Sequence, residues 1–477
     1  MLTAERVDAQ ADVHAWSMDA ARTDPTLSPL PEGDAVDRLE QQLRTDGVRW
    51  IIGTATNAAG LVLAKSIPAP RLTAFVRSGC GLSPAHNAYG VDGSVVDAAS
   101  VPHVGDLRLR LDPSGVRMIG DGIAMGPTDT FFQDGTPDPA CPRVVLAKAV
   151  RDLAEQGLHA MVGHEVEFVL VRPDGSLLDP GNWRPYGANA LLGQEELVLD
   201  LLAGFERAGI GVEQVHAEYG EAQFEVSLGP DDPIRSADAL ITARVLIVRT
   251  ARRHGLMASF SPLPEVGKVG NGAHQHLSLR RGNEPLFSGG DGPHGLTGEG
   301  AHAIAGLVRG LPQAQAVLAG SALSGARLQP GGWSGAYACW GRENREAAVR
   351  FVTDGMSNPH GANVEVKMID ASANPYLATA SLLGLALDGI RRRLPLPAEV
   401  TTDPADLSDT DRVHAGVTRL ASDQAAMVDA LESSEEMRRI LGDPVVTAVL
   451  AVRRHEQVLF AGMPPEGVAA ALRLAWS

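Results

Sequence analysis

Four stretches of the chain carry acidic or imidazole side chains in strand-like surroundings. Glu165 and Glu167 stand in Gly-His-Glu-Val-Glu-Phe-Val-Leu-Val, and Glu218 and Glu225 in Glu-Tyr-Gly-Glu-Ala-Gln-Phe-Glu. His274 and His276 stand in Gly-Ala-His-Gln-His-Leu-Ser-Leu, and Glu365 and Lys367 in Val-Glu-Val-Lys-Met. A spacing of two puts both groups of a pair on one face of a strand, where like charges repel unless a cation or solvent lies between them. Any one pair also fits a half-buried strand with a solvated polar face. Taken together, these carboxylates and a neutral imidazole form a cage suited to hard divalent cations, Mg²⁺ or Mn²⁺.

A second cluster is cationic: Arg327-Leu-Gln-Pro-Gly, then Trp340-Gly-Arg342-Glu-Asn-Arg345-Glu-Ala-Ala-Val-Arg350. Arginines at 345 and 350 beside a metal cage suit a transferring phosphoryl group, whose oxygens gather negative charge. The bland alternative is an arginine-rich surface, which fits Arg342 better than Arg350 inside its apolar run. No Gly-x-x-x-x-Gly-Lys-Ser/Thr loop, Gly-x-Gly-x-x-Gly turn, Cys-x-x-Cys or His-Glu-x-x-His occurs, so a nucleotide would need another kind of phosphate site.

The elements that must hold these groups follow from periodicity. Residues 1–34, closing on Ser28-Pro29-Leu30-Pro31, read as an arm, and 35–130 as a small unit of a short helix and strands at 49–52, 60–64 and 106–111. From 131 to the end, helices alternate with apolar strands. A helix over 145–156 precedes the strand 159–171, a helix over 196–208 precedes two strands within 211–228, and Ser236 is expected to cap a helix reaching Arg253. Strands at 256–260 and 274–279, a helix near 300–310, strands within 347–368, a helix from Asn374-Pro375-Tyr376 to Ile390 and a helical last eighty residues complete the reading.

Composition narrows the partners. With 58 acidic and 41 basic residues among 477, the formal net charge is -17, which repels phosphate backbones and anionic lipid headgroups; no nucleic-acid or membrane partner is expected. No long apolar run suits a membrane span, and residues 1–30 lack the apolar core of a secretory leader. Three scattered cysteines (Cys80, Cys141, Cys339) form no disulfide framework, so a cytoplasmic protein is expected. Only four of the basic residues are lysines (Lys65, Lys148, Lys268, Lys367).

Read as one ordered set, the motifs Glu165-x-Glu167-Phe, Glu218 through Gln223-x-Glu225, His274-x-His276-x-Ser278, Arg327-Leu-x-Pro-Gly, Asn344-Arg345-x-Ala, Glu365, Ala373-Asn374-Pro375-Tyr376-Leu377 and Leu387-Asp388-Gly389-Ile390 resemble the glutamine synthetase superfamily from about Asp37 onward. The resemblance implies an α+β protein, with a β-grasp-like N-terminal domain and a large catalytic α/β domain built on a curved antiparallel sheet. It implies two Mg²⁺ or Mn²⁺ ions per site, one held by Glu167, Glu218 and Glu225 and the other by Glu165, His274 and Glu365. It places Glu213, His276 and Ser278 at the nucleotide of ATP, Arg345 and Arg350 at its phosphates, and Arg327 and Gly270 at glutamate. Asp92, lent by a neighbouring copy, and Tyr186 fall at the amine site, with Asp92 the base that takes the amine's proton. A homo-oligomeric ring, a dodecamer in the family, is implied.

The chain also departs from the ammonium-using pattern. Where those members place a glutamate that closes over ammonium, this chain has Trp333, whose indole suits a longer amine through a cation–π contact. Lys367 and Asn363 replace two arginines, Val269 replaces an asparagine that binds glutamate, and no tyrosine follows Tyr376 for adenylylation. The wording is similar to the branch that γ-glutamylates polyamines. The expectation is therefore an ATP-dependent glutamate–amine ligase, with ammonium-dependent glutamine synthesis as one rival and a silent scaffold or sensor as another.

Overall fold

A computed structural model describes residues 33–96, 105–179, 181–356, 358 and 360–477; of the arm expected at 1–34, residues 1–32 lie outside them and 33–34 begin the helix Gly33–Thr45. Among the described residues, the strands gather into two sheets. The smaller comprises β1 (Trp50–Thr56), β2 (Val62–Pro68), β3 (Cys80–Leu82), β4 (Leu107–Leu111), β5 (Arg117–Gly120) and β6 (Ile123–Phe131). Its order is β2-β1-β6-β4-β3, with β5 on β6 and β1 parallel to β6, which is the mixed pairing expected of a β-grasp-like unit. Its core gathers Val36, Ile51, Leu72, Phe75 and Leu111.

The larger sheet has ten strands: β7 (Leu158–Val171), β8 (Val212–Ala217), β9 (Gln223–Asp231), β10 (Met257–Ser259), β11 (Gln275–Arg281), β12 (Glu284–Pro285), β13 (Tyr337–Arg342), β14 (Ala347–Val352), β15 (Asn363–Val366) and β16 (Thr418–Arg419). Their order is β16-β13-β14-β15-β11-β7-β9-β8, with β10 on β7 and β12 on β11. Every pair is antiparallel except β13 with β14, which run parallel.

One face of this sheet is apolar. Val166, Phe168, Leu277, Val364 and Val366 alternate with the polar site residues and are almost fully buried, the period-two pattern of a strand with one face in the core. Two long helices, Gly298–Leu318 and Pro375–Arg392, belong to that core. They meet at Gly306 and Gly389, where a Cβ on either glycine would collide with the partner helix. That contact gives Gly389 in Leu-Asp-Gly-Ile a packing role.

Several boundaries differ from expectation. The helix expected near 300–310 continues to Leu318 through Pro312. Ser236 does not cap its helix; the helix starts at Pro233, Asp232 accepts from the Ile234 and Arg235 amides, and Ser236 donates to the Val162 carbonyl. The last eighty residues are not uniformly helical. Between Glu399 and Asp423 the α-helix is confined to Asp409–Ala415, and Val400 and Val417 pack on Tyr337 and Cys339. Cys141 and Cys339 are buried, their thiols pushed up by burial to about 11 and about 12, while Cys80 is half-buried on the edge strand β3. No helix among the described residues is long and apolar enough to cross a membrane.

Candidate functional site

Strand register assembles the site. Glu167 on β7 pairs with Glu225 on β9, which pairs with His216 on β8. On the other side His276 on β11 pairs with Glu365 on β15, which pairs with Arg350 on β14. The amides of Glu165 and Glu167 donate to the carbonyls of His274 and Gly272, extending the β7–β11 ladder so that His274 meets Glu165. One sheet face thus carries carboxylates and imidazoles from five strands, and a cavity of about 1570 Å³ lies over it.

Among the described residues, three groupings bring ligand atoms within 4.8 Å of one another: Glu165–His276–Glu365, Glu165–Glu225–His274 and His216–Glu218–Glu225. They regroup the expected ligands. His276, expected at the nucleotide, joins Glu165 and Glu365. His216 joins Glu218 and Glu225. Glu167 stays outside the groupings, because one oxygen accepts from Gln223 and the Gly272 amide at 3.0 and 2.9 Å and the other faces His274 Nε2 at 3.8 Å. Gly272 leaves no room for more than hydrogen, since a Cβ there would press on His274, Arg327 and Glu167.

The electrostatics fit a cation. Burial and the nearby charges of Glu165, Glu167, Glu218 and Glu365 push the Glu225 carboxyl well above its ordinary range. Burial also opposes ionisation of Glu165, yet hydrogen bonds from His274 and His276 hold it well below the usual value. Burial pulls His276 down, but Glu165 outweighs it and raises the imidazole to about 9. Hard oxygen donors with imidazole, repelling one another in a part-buried cluster, are a donor set that Mg²⁺ or Mn²⁺ would satisfy.

The remaining expected residues divide into those at the cavity and those away from it. Arg327 is buried, donating to the carbonyls of Met368 at 3.0 Å and Lys367 at 3.2 Å. Arg345 lines the cavity and is exposed. Arg350 divides its guanidinium between Glu365 at 2.9 Å and Glu343 at 2.7 Å. Lys367 lines the cavity and reaches Glu365 at 3.0 Å. Burial opposes ionisation of Glu365, but Lys367 outweighs it and brings the carboxyl down to about 2. Gly270 lies against Arg327, and its carbonyl accepts from Gln223.

Glu213 stands at the cavity wall, 3.3 Å from His360. Tyr186, 57% exposed with φ 55°, stacks obliquely on His216 with centroids 5.8 Å apart; burial and Glu218 push its phenol up to about 12. Trp333, 55% exposed with φ 51°, is held by its amide to Glu346 Oε1 at 2.8 Å.

Two expected residues are not at this cavity. Ser278 lies beyond its lining and donates to the Ala362 carbonyl. Asp92 accepts from the Ser94 amide and hydroxyl at 3.2 and 2.7 Å and faces His455 Nε2 at 3.2 Å. The Asp-Gly-Ser turn closes on its own aspartate; the expectation for Asp92 concerns the site of a neighbouring copy, not this cavity. His216, Gly272 and Glu346 are not among the expected site residues, and Gln223 is expected only as part of the Glu218-to-Glu225 motif. His216 carried a signal, since it precedes Glu218 by two residues.

Residues 139–466 match the family described as "Glutamine synthetase, catalytic domain". The chain belongs to the glutamine synthetase family. It is 38% identical over 463 residues to the γ-glutamylpolyamine synthetase GlnA3 of Streptomyces coelicolor, covering 95% of this chain and 99% of that one. Among solved structures, a protein described as a novel glutamine synthase homolog superposes with a TM-score of 0.79 at 31% identity, covering 89% of this chain and 98% of that one. A GmaS/ADP complex superposes with a TM-score of 0.79 at 25% identity, covering 90% of this chain and 97% of that one. As in its glutamine synthetase relatives, the small-sheet domain precedes a large catalytic domain, and the activity of the class is ATP-dependent ligation of glutamate to ammonia or an amine.

Proposed function

We propose that this member of the glutamine synthetase family joins the γ-carboxylate of glutamate to a primary amine of the polyamine class. The observation that carries this reading is Trp333: an exposed indole lines the cavity at the position where a carboxylate would enclose ammonium. Support also comes from charge, since eight glutamates against five lysine and arginine side chains line the cavity, a balance that favours a polycation. The resemblance to a γ-glutamylpolyamine synthetase points the same way.

In this reading Arg327 holds the α-carboxylate of glutamate, and Arg345 and Arg350 face the phosphates of ATP. Glutamate's γ-carboxylate oxygen bonds to the γ-phosphorus as ADP leaves; the amine nitrogen then bonds to the acyl carbon as phosphate leaves. Two divalent ions held by the carboxylate–imidazole cluster would screen the repulsion between the two anions. The amine must shed a proton before it attacks, because its pKa lies near 10. Asp92 of a neighbouring copy, in a homo-oligomeric ring, is the proposed acceptor, with Tyr186 and Trp333 flanking the incoming chain.

The test is phosphate release from ATP with glutamate, Mg²⁺ and, in separate reactions, ammonium, ethanolamine, putrescine, cadaverine, spermidine or spermine. Turnover with di- and polyamines and little with ammonium is expected. Turnover with ammonium alone would refute the polyamine assignment, and none with any amine would favour a silent scaffold.

A further inference from the structure

Trp333 stands in a turn that projects over the cavity. Gly331, Gly332, Trp333 and Ser334 all line it, and residues 329–333 are exposed. The Gly332 amide donates to the Gln329 carbonyl at 3.1 Å, a bond within the turn itself. Gly331 at φ 73° and Trp333 at φ 51° lie in the left-handed region, a conformation that a residue other than glycine keeps only where its surroundings hold it.

Glu346 supplies that hold from outside the turn. Its Oε1 accepts from the Trp333 amide at 2.8 Å. Its own backbone is anchored, since the Glu346 amide donates to Asn344 Oδ1 at 3.1 Å and Asn344 Nδ2 donates to the Val400 and Thr402 carbonyls at 2.8 and 3.0 Å. Glu346 is 7% exposed and does not line the cavity. Its second oxygen, Oε2, is buried with no hydrogen-bond partner among the described residues. Burial foremost raises the carboxyl above its ordinary value, with Asp403 adding to this and the Trp333 and Gly331 amides and Lys367 pulling against it. A buried carboxyl with an idle oxygen is a costly way to pack a strand end. What it supplies is one fixed acceptor under the Trp333 amide.

We propose that Glu346 is a positioning residue for amine recognition, which holds the Trp333 indole at the cavity wall and acts on the amine only through it. This rests on the reading of Trp333 as a wall of the amine site. It adds that part of the selectivity for the amine belongs to a side chain that never touches the amine.

The experiment is steady-state phosphate release with spermine or putrescine as the varied substrate, repeated with ATP and with glutamate varied. Glu346→Ala should raise the KM for the amine, by no more than the about 2- to 30-fold expected from loss of the cation–π contact itself, and leave kcat and the KM values for ATP and glutamate unchanged. Glu346→Met, of similar length but without an oxygen acceptor, should do the same and decides the matter if the Ala variant fails to fold. Glu346→Gln keeps an acceptor for the Trp333 amide and should keep the wild-type KM. Because Glu346 acts through Trp333, combining Glu346→Ala with Trp333→Gly should be no worse than Trp333→Gly alone. Three results would overturn the role of Glu346 and leave that of Trp333 standing: a wild-type amine KM in folded Glu346→Ala or Glu346→Met beside an impaired Trp333→Gly, effects that multiply in the double variant, or a Gln variant as impaired as Ala. KM values for ATP and glutamate that rise together with that for the amine would do so as well. An unchanged amine KM in Trp333→Gly, or no turnover with either amine, would overturn the amine-site reading and this inference with it.

Discussion

Glu225 and Trp333 show how single residues in this site trade stability for chemistry. Glu225 is raised by burial and four like charges, so in metal-free buffer Glu225→Gln should raise the melting temperature while abolishing phosphate release. Differential scanning calorimetry paired with the release assay checks both; a variant that keeps near-normal turnover would sink the metal assignment. Trp333 occupies a left-handed backbone conformation that glycine adopts freely. Trp333→Gly should therefore fold at least as well as the wild type, while the KM for a polyamine rises about 2- to 30-fold as a cation–π contact is lost. The alternation of acidic residues was legible because each strand shows only two faces. His216 obeys the same period, standing two residues before Glu218.

At the scale of elements, the helix Pro375–Arg392 ties the two sheets together through its cap. Asn374 accepts from the Tyr376 and Leu377 amides and donates to the Thr56 and Asn57 carbonyls at the end of β1. Asn374→Ala should cost about 1–2 kcal/mol for the cap alone, with more from the lost donors, measured by urea unfolding. The Asn-Pro-Tyr signature was readable because Pro at the first helical position and Asn before it are local signals. The length of Gly298–Leu318 was not. Gly310 and Pro312 look like breakers locally, but a Cβ at Gly310 would strike Leu385 of the neighbouring helix, so this glycine answers to a partner 75 positions away. The cap at Asp232 was missed for a simpler reason: Ser236 is a good cap type that sits one turn too late.

Over the whole molecule, one half-buried arginine joins the halves. Arg143 meets Asp112 at 2.6 Å and Asp129 at 2.9 Å from the small-sheet side, and Asp238 at 3.0 Å, which also accepts from the Tyr376 hydroxyl. No local pattern announces this cluster, because its members come from distant segments. Burial raises Asp112, but Arg143 and Ser114 outweigh it and lower the carboxyl; Asp129 is raised, by burial foremost. Asp112 therefore adds stability above its unfolded pKa of about 3.9, and that stability is lost as pH falls through the lowered folded value. Asp112→Asn should cost about 1–3 kcal/mol near pH 7, and the gap to the wild type should close in acid. Asp129 has the opposite sign: its contribution is present in acid and lost as pH rises through its raised value, so Asp129→Asn should compare best with the wild type near neutrality. Urea unfolding at pH 7 and below pH 4 distinguishes them; parallel shifts at both pH values would rule out the linkage.

The three thiols have a use unconnected with catalysis. Burial lifts two of them to about 11 and about 12, leaving them scarcely ionised at neutral pH, and Cys80 alone sits half-open on an edge strand of the small sheet. A maleimide dye should then attach at one address per chain. With one fluorophore per copy, the number of bleaching steps in a single particle becomes a direct count of how many chains have assembled.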